Sequence, residues 1–187
     1  NSNGEEEFPN VAVARHRLKD LLKGWPENAR DSKYEAFIRA IRSIRQREYK
    51  PKILVFAFFK GTLSYLQQRL QADNICAVLI SGDVTGDDRT EKIKAFREDA
   101  KVEVLLSSKV GSEGLDFQFC HILFNYDLPW NPMEVEQRIG RLDRIGQESE
   151  FIAIYHFWVK DTIEERILKR LYERIGVFER SIGELEL

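Results

Sequence analysis

The sequence predicts an α/β fold, a three-layer parallel sheet with helices on both faces. Continuous apolar runs without polar alternation are the first observation: KILVFAFF (52–59), ICAVLI (75–80), VEVLLS (102–107), HILFNY (121–126) and FIAIYHFWV (151–159). Strands covered on both faces read this way. The second is that helical patterns separate these runs, and strands alternating with helices form parallel sheets through right-handed crossovers.

Taken in order, the opening NSNGEEEFPN is polar and acidic and reads as a frayed end. VAVARHRLKDLLKGWPENAR predicts a short helix around Leu18, Leu21 and Leu22, stopped by Gly24 and Pro26. In DSKYEAFIRAIRSIRQREY, Asp31 is a candidate cap. Tyr34, Phe37, Ile38, Ile41 and Ile44 follow at the spacing of an amphipathic helix. The first two strands are followed by helices over GTLSYLQQRLQAD and GDDRTEKIKAFRED. Two more strands lead to a helix over NPMEVEQRIGRL, and 151–159 forms the last strand. DTIEERILKRLYERIGVFE closes as an amphipathic helix (161–178) through Ile163, Ile167, Leu168, Leu171, Ile175 and Phe178, burying one stripe on its own domain. Residues 1–30 read as an extension or linker and 31–187 as the α/β domain with its C-terminal helix. The chain opens on Asn1 with Met133 as its one methionine, which reads as a piece of something longer.

Composition narrows the function classes. With 43% hydrophobic and 32% charged residues the chain is globular. Lys plus Arg (29) nearly balances Asp plus Glu (31), so any nucleic-acid contact must come from local charge. No apolar run approaches the roughly 20 residues that span a bilayer, so no membrane partner is expected. Cys76 and Cys120 sit beside apolar stretches and read as small buried hydrophobes in a reducing, cytoplasmic compartment. His16, His121 and His156 are isolated, so no metal spacing exists.

In a parallel sheet, ligands bind at the loops following the strands' carboxyl ends. Those loops are FKG (59–61), SGDVTGDD (81–88), SSKVGSEGLDFQ (107–118) and DLPWNP (127–132). Ser107, Ser108 and Lys109 offer two hydroxyls and an ammonium to a phosphate oxygen. Gly111 and Gly114 permit close approach and unusual dihedrals. Glu113 and Asp116 can accept from a ribose or hold an arginine. On these residues alone, a glycine-rich surface loop explains the stretch equally well. QRIGRLDRIGQ (137–147) is more specific. Arg141 and Arg144, three apart, would share one helix face with Gln137, and guanidinium groups bind phosphate in a bidentate manner. Gly140 removes a side chain where a backbone or nucleotide could approach. The plainer reading is a solvated basic helix face paired by Glu134, Glu136 and Asp143.

Together these strings are recognisable. QRIGRLDRIGQ resembles motif VI of the superfamily-two helicase-like ATPases, specifically the Swi/Snf-type translocases. SSKVGSEGLDFQ resembles their motif V, and NYDLPWNP, with Asp127, Trp130, Asn131 and Pro132, the segment joining the two. ILVFAFFKGTLSYLQQRL resembles motif IV, LISGDVTGDDRTEKIKAF with Arg89 the segment after it, and DSKYEAFIRAI the preceding helix. The resemblance covers 31–172 in order. The GSEG and GRLDRIGQ variants are most similar to the bacterial RNA-polymerase-associated branch.

The resemblance implies a RecA-like C-terminal lobe that meets ATP and Mg²⁺ held by an N-terminal RecA-like lobe. It makes Arg144 an arginine finger and Arg141 a second phosphate contact. Gln137, Gly140, Asp116, Glu113 and Gly114 would lie on the nucleotide side. Ser108, Lys109, Lys60 and Gly82 would touch the tracked nucleic-acid backbone. Implied partners are the other lobe, nucleic acid as double-stranded DNA, and RNA polymerase or another nucleoprotein complex, with nucleoid association in a bacterium. Trp130 is expected to anchor the joining loop on the motif VI helix. Phe56, Phe58, Phe59, Phe157 and Trp158 are expected in the core and strands. No G-x-x-x-x-G-K-[ST] and no Asp-Glu-x-His or Asp-Glu-Ala-Asp string occurs, so the chain alone should not hydrolyse ATP. Two alternatives stand beside this reading. One is a non-catalytic α/β docking module for protein or nucleic acid. The other is a dinucleotide-binding domain, which the single glycine of FKGTLSYL disfavours.

Overall fold

The computed structural model describes residues 9–23, 31–84 and 86–182. The chain divides into two compact units, Asn1–Ser32 and Lys33–Leu187. The first carries helix α1, Pro9–Lys23. The expected stops at Gly24 and Pro26, and most of the opening segment, lie outside the described residues.

The second unit begins in α2 (Ser32–Arg47) and continues through β1 (Ile53–Phe56), α3 (Lys60–Ala72), β2 (Cys76–Ile80), α4 (Gly86–Glu98) and β3 (Val102–Ser107). A 3₁₀ turn (Val110–Ser112), β4 (Ile122–Asn125), α5 (Pro132–Ile139), β5 (Ala153–His156) and α6 (Ile163–Ile182) follow. The five strands are parallel in the order β2-β3-β1-β4-β5. This is the three-layer parallel architecture that the apolar runs predict.

Strand alternation divides the core into two layers. Ile53 and Val55, with Val104, Leu106, Ile122 and Phe124, pack under α2 and α3. Leu54 and Phe56, with Leu105 and Leu123, pack on the other face with Phe96 of α4, Phe117 and Leu142. The predicted stripe of α2 is buried throughout. Its Phe37 meets Phe124, Tyr126 and Phe157 edge-on at centroid distances of 5.7, 5.4 and 5.6 Å. Such contacts add about 0.5–1.5 kcal/mol each beyond area burial.

Several expectations need correction. β1 ends at Phe56, because the Phe58 N–H turns to the Asp127 carboxylate at 3.1 Å. Of the aromatics expected in the core, Phe56 and Phe157 are buried, whereas Phe59 and Trp158 are exposed. β2 and β5 are edge strands, so their apolar runs are only partly covered. Cys76, at the β2 edge, is therefore exposed, while Cys120 is buried and its thiol is pushed up to about 12 by desolvation. Trp130 is 68% exposed and does not anchor its loop on α5. In α6, Ile167, Leu168 and Leu171 are buried and Ile163 is exposed; the side chains of Ile175 and Phe178 lie outside those described.

Candidate nucleotide-facing site

α5 opens on Asn131, whose side chain accepts from the Met133 N–H at 3.1 Å, and Pro132 occupies the first turn. The helix does not reach Leu142. It ends at Ile139 with Gly140 as cap, and residues 141–147 follow as turns. Arg141 and Arg144 therefore do not share a helix face. Gly140 adopts φ −61° and ψ −5°, which any residue can take. A Cβ there would lie 3.3 Å from the Glu136 carbonyl, so the close approach is to its own helix.

What sets the arginines is a backbone seam. The Phe117 N–H donates to the Arg141 carbonyl at 2.8 Å and the Glu148 N–H to the Gln118 carbonyl at 3.3 Å. Gln147 closes the seam, its carboxamide donating to the carbonyls of Leu142 and Cys120 at 2.9 and 3.2 Å. Gly146, at φ 97°, supplies the left-handed residue that returns the chain. The 107–118 loop and the arginine-bearing turns are thus one surface.

On it, Arg144 pairs with Asp116, Nη1 to Oδ1 at 2.6 Å, and its Nε donates to the Gly140 carbonyl at 3.0 Å. Arg141 and Gln137 line a small hollow of ≈ 40 Å³ with Lys109, Ser112, Glu113 and Arg138. Lys109 pairs with Glu134 at 3.1 Å across this hollow. Gly114 takes φ 73° beside it. Arg89 of α4 donates to the Glu113 carbonyl and ties the loop down.

The residues expected on nucleic acid form an adjoining strip. Lys60 lies in the first turn of α3, not in a loop, and pairs with Asp83. Gly82, next to Asp83, faces Val110, whose Cγ1 would be 3.0 Å from an added Cβ. The Ser108 hydroxyl accepts from the Gly111 N–H at 3.0 Å, so it braces the 3₁₀ turn. Gly111 itself fits only as glycine, since a Cβ would come within 2.4 Å of the Ile80 carbonyl.

Sequence reasoning missed Arg138. It is 5% exposed, and its Nη1 donates to Asn125 Oδ1 at 2.7 Å and to the Asp127 carbonyl at 2.9 Å. Its guanidinium lies 5.0 and 5.3 Å from the rings of Phe56 and Phe58. Desolvation pulls its pKa down to about 10, and Glu134 and Asp127 oppose the shift. The signal was available: Val135, Arg138, Ile139 and Leu142 form the inward stripe, and Arg138 is its one charge.

Arginine, lysine, carboxamide and hydroxyl donors around one hollow fit phosphate oxygens. Among the described residues, no three His, Cys, Asp or Glu side chains come together as a metal cage. No helix among them is long and apolar enough to cross a membrane.

A five-stranded parallel sheet in this order matches the RecA-like C-terminal lobes of helicases. The C-terminal part of the Fun30 ATPase domain superposes over 84% of this chain and 52% of that chain, at TM-score 0.69 and 23% identity. Mss116p DEAD-box helicase domain 2, solved bound to an RNA duplex, superposes over 78% of this chain and 56% of its own, at 0.62 and 24%. The chain belongs to the helicase conserved C-terminal domain family, whose model matches residues 32–146. The uncharacterized ATP-dependent helicase YqhH of Bacillus subtilis (strain 168) is 44% identical over 135 residues, 72% of this chain and 24% of that protein. The chain thus spans about a quarter of that relative's length.

Proposed function

We propose that residues 31–187 are the second motor lobe of an ATP-dependent nucleic-acid translocase of Swi/Snf type, with 1–30 as linker. The observation that carries this is the shared hollow: Gln137 and Arg141 meet Lys109 and Glu113 at the sheet's carboxyl edge, while Arg144 is held by Asp116 of the same 107–118 loop. Such a set neutralises charge on a triphosphate presented from outside. The phosphate-binding loop, and the Mg²⁺ that accompanies it, fall to the N-terminal RecA-like lobe, since no G-x-x-x-x-G-K-[ST] string occurs in this chain. Arg144, freed from Asp116, reaches the γ-phosphate as the finger, and Arg141 holds a second oxygen. Removing a finger costs on the order of a thousandfold or more in rate.

Lys60, the Gly82 turn, Ser108 and Lys109 contact the tracked strand of double-stranded DNA. The RNA-polymerase-associated branch supplies the cargo, in the cytoplasm at the nucleoid. Support for the ATP reading comes from the relative called an ATP-dependent helicase. The test compares ATP turnover, with and without double-stranded DNA, for this chain alone and for the protein that joins it to its N-terminal lobe. DNA-stimulated turnover in the joined protein only, abolished by Arg144→Ala, is the expected result. Undiminished turnover in that variant overturns the finger assignment, and salt-resistant nucleic-acid binding without ATP turnover favours a docking module.

A further inference from the structure

Arg138 lines the same hollow, yet it is buried and its guanidinium is already engaged inside the fold. Among the described residues no carboxylate lies within ion-pair distance of it; its partners are the Asn125 carboxamide, the Asp127 carbonyl and two aromatic faces. Burying a guanidinium whose direct acceptors are neutral is costly, and the Glu134 and Asp127 carboxylates only partly offset that cost from a distance. A hydrophobic residue would fill the same stripe position on α5 without that cost. The arginine does what an apolar side chain cannot: it ties α5 by two directed bonds to the exit of β4. Asn125 is in turn fully buried, and its Nδ2 lies 3.3 Å from His156 Nδ1, so the anchor point is fixed from β5 as well.

The consequence falls on the neighbours of Arg138. Gln137 precedes it and Arg141 follows by three, and all three line the one hollow. Rotation or sliding of α5 would carry Gln137, and with it the start of the turn that bears Arg141, out of register with Lys109 and Ser112. A second bond from the same anchor reaches the opposite loop: Asp127, whose carbonyl Arg138 holds, accepts the Phe58 N–H at 3.1 Å, two residues before Lys60.

We infer that Arg138 is a positioning residue that sets the register of α5 against β4, and so places Gln137 and Arg141 for the triphosphate. This rests on the reading of the hollow given above. Lysine at 138 keeps the charge but loses the planar fork and its stacking. The experiment is a double-mutant cycle on ATP turnover in the protein carrying both lobes, using Arg138→Lys, Arg141→Ala and the pair, with thermal melting of each. The expected result is a loss on the order of ten- to a hundredfold for Arg138→Lys at near-native melting temperature. In the Arg141→Ala background the same change should cost clearly less than in the wild type, because one of the two residues it positions is gone. A purely structural role would instead multiply the two losses, and that outcome, or wild-type turnover in Arg138→Lys, overturns the inference. Full turnover in Arg141→Ala overturns the reading of the hollow and this inference with it, so the two failures are told apart. If the lysine variant does not fold, Asn125→Ala, which removes the 2.7 Å acceptor, carries the same cycle and the same outcomes.

Discussion

Burial, and secondarily the Arg138 guanidinium, push the His156 imidazole from its ordinary 6.5 down to about 4. The unfolded chain therefore binds a proton at this residue between those values while the folded chain does not. Stability from this group is fully present above the unfolded pKa and is lost as pH falls toward the folded one. Between pH 7 and pH 5 the loss is about 2 kcal/mol. The urea midpoint should fall accordingly, and His156→Gln should flatten that pH dependence; a wild-type midpoint equal at both pH values would show an imidazole that charges freely in the fold. At this scale the sequence was only half legible. That Arg141, Gln137 and Glu113 come together, and that Asp116 holds an arginine, could be anticipated from the two strings they sit in. Arg138, Asn125 and His156 could not, because their roles come from three elements distant in sequence meeting at one strand end.

Among elements, the segment bearing Arg144 is not regular structure and owes its shape to a seam with residues 117–120 and to one side chain. Gln147 makes three bonds, donating to Leu142 and Cys120 and accepting from the Ser149 N–H at 3.0 Å. Removing it leaves carbonyls at Leu142 and the buried Cys120 without that donor, a loss of about 1–3 kcal/mol. Gln147→Ala should lower the melting temperature and speed hydrogen exchange at the Phe117 amide, which is bonded to Arg141 across the seam. Exchange unchanged at Phe117 would mean that the seam holds without the glutamine. Helices and strands were legible because apolar spacing sets them: the α2 stripe and the β3 run hold residue for residue. The end of α5 was not, since QRIGRL continues a helical pattern and only tertiary bonds to the 117–120 segment pull it into turns. Nor does an apolar run say whether its strand lies at an edge, and β2 and Cys76 were misjudged for that reason.

For the whole molecule, a formal net charge of −2 gives no long-range attraction for a polyanion. Three of the four cations proposed to meet phosphate are, in addition, paired within the chain: Lys60 with Asp83, Lys109 with Glu134 and Arg144 with Asp116. These pairs are at least partly exposed and individually worth about 0–1 kcal/mol, so they are easily exchanged for phosphate but lower its net gain. The lobe alone should therefore bind double-stranded DNA weakly, through two or three phosphates. Counterion release then sets the salt response: raising monovalent salt from about 50 to about 200 mM should weaken binding roughly ten- to fortyfold. Asp83→Asn and Glu134→Gln, which unpair Lys60 and Lys109 without touching either lysine, should tighten binding and leave the fold unchanged, as checked by fluorescence anisotropy and melting. Binding that ignores salt, or that weakens when the acids are neutralised, would place the contact surface elsewhere than the Lys60–Lys109 strip.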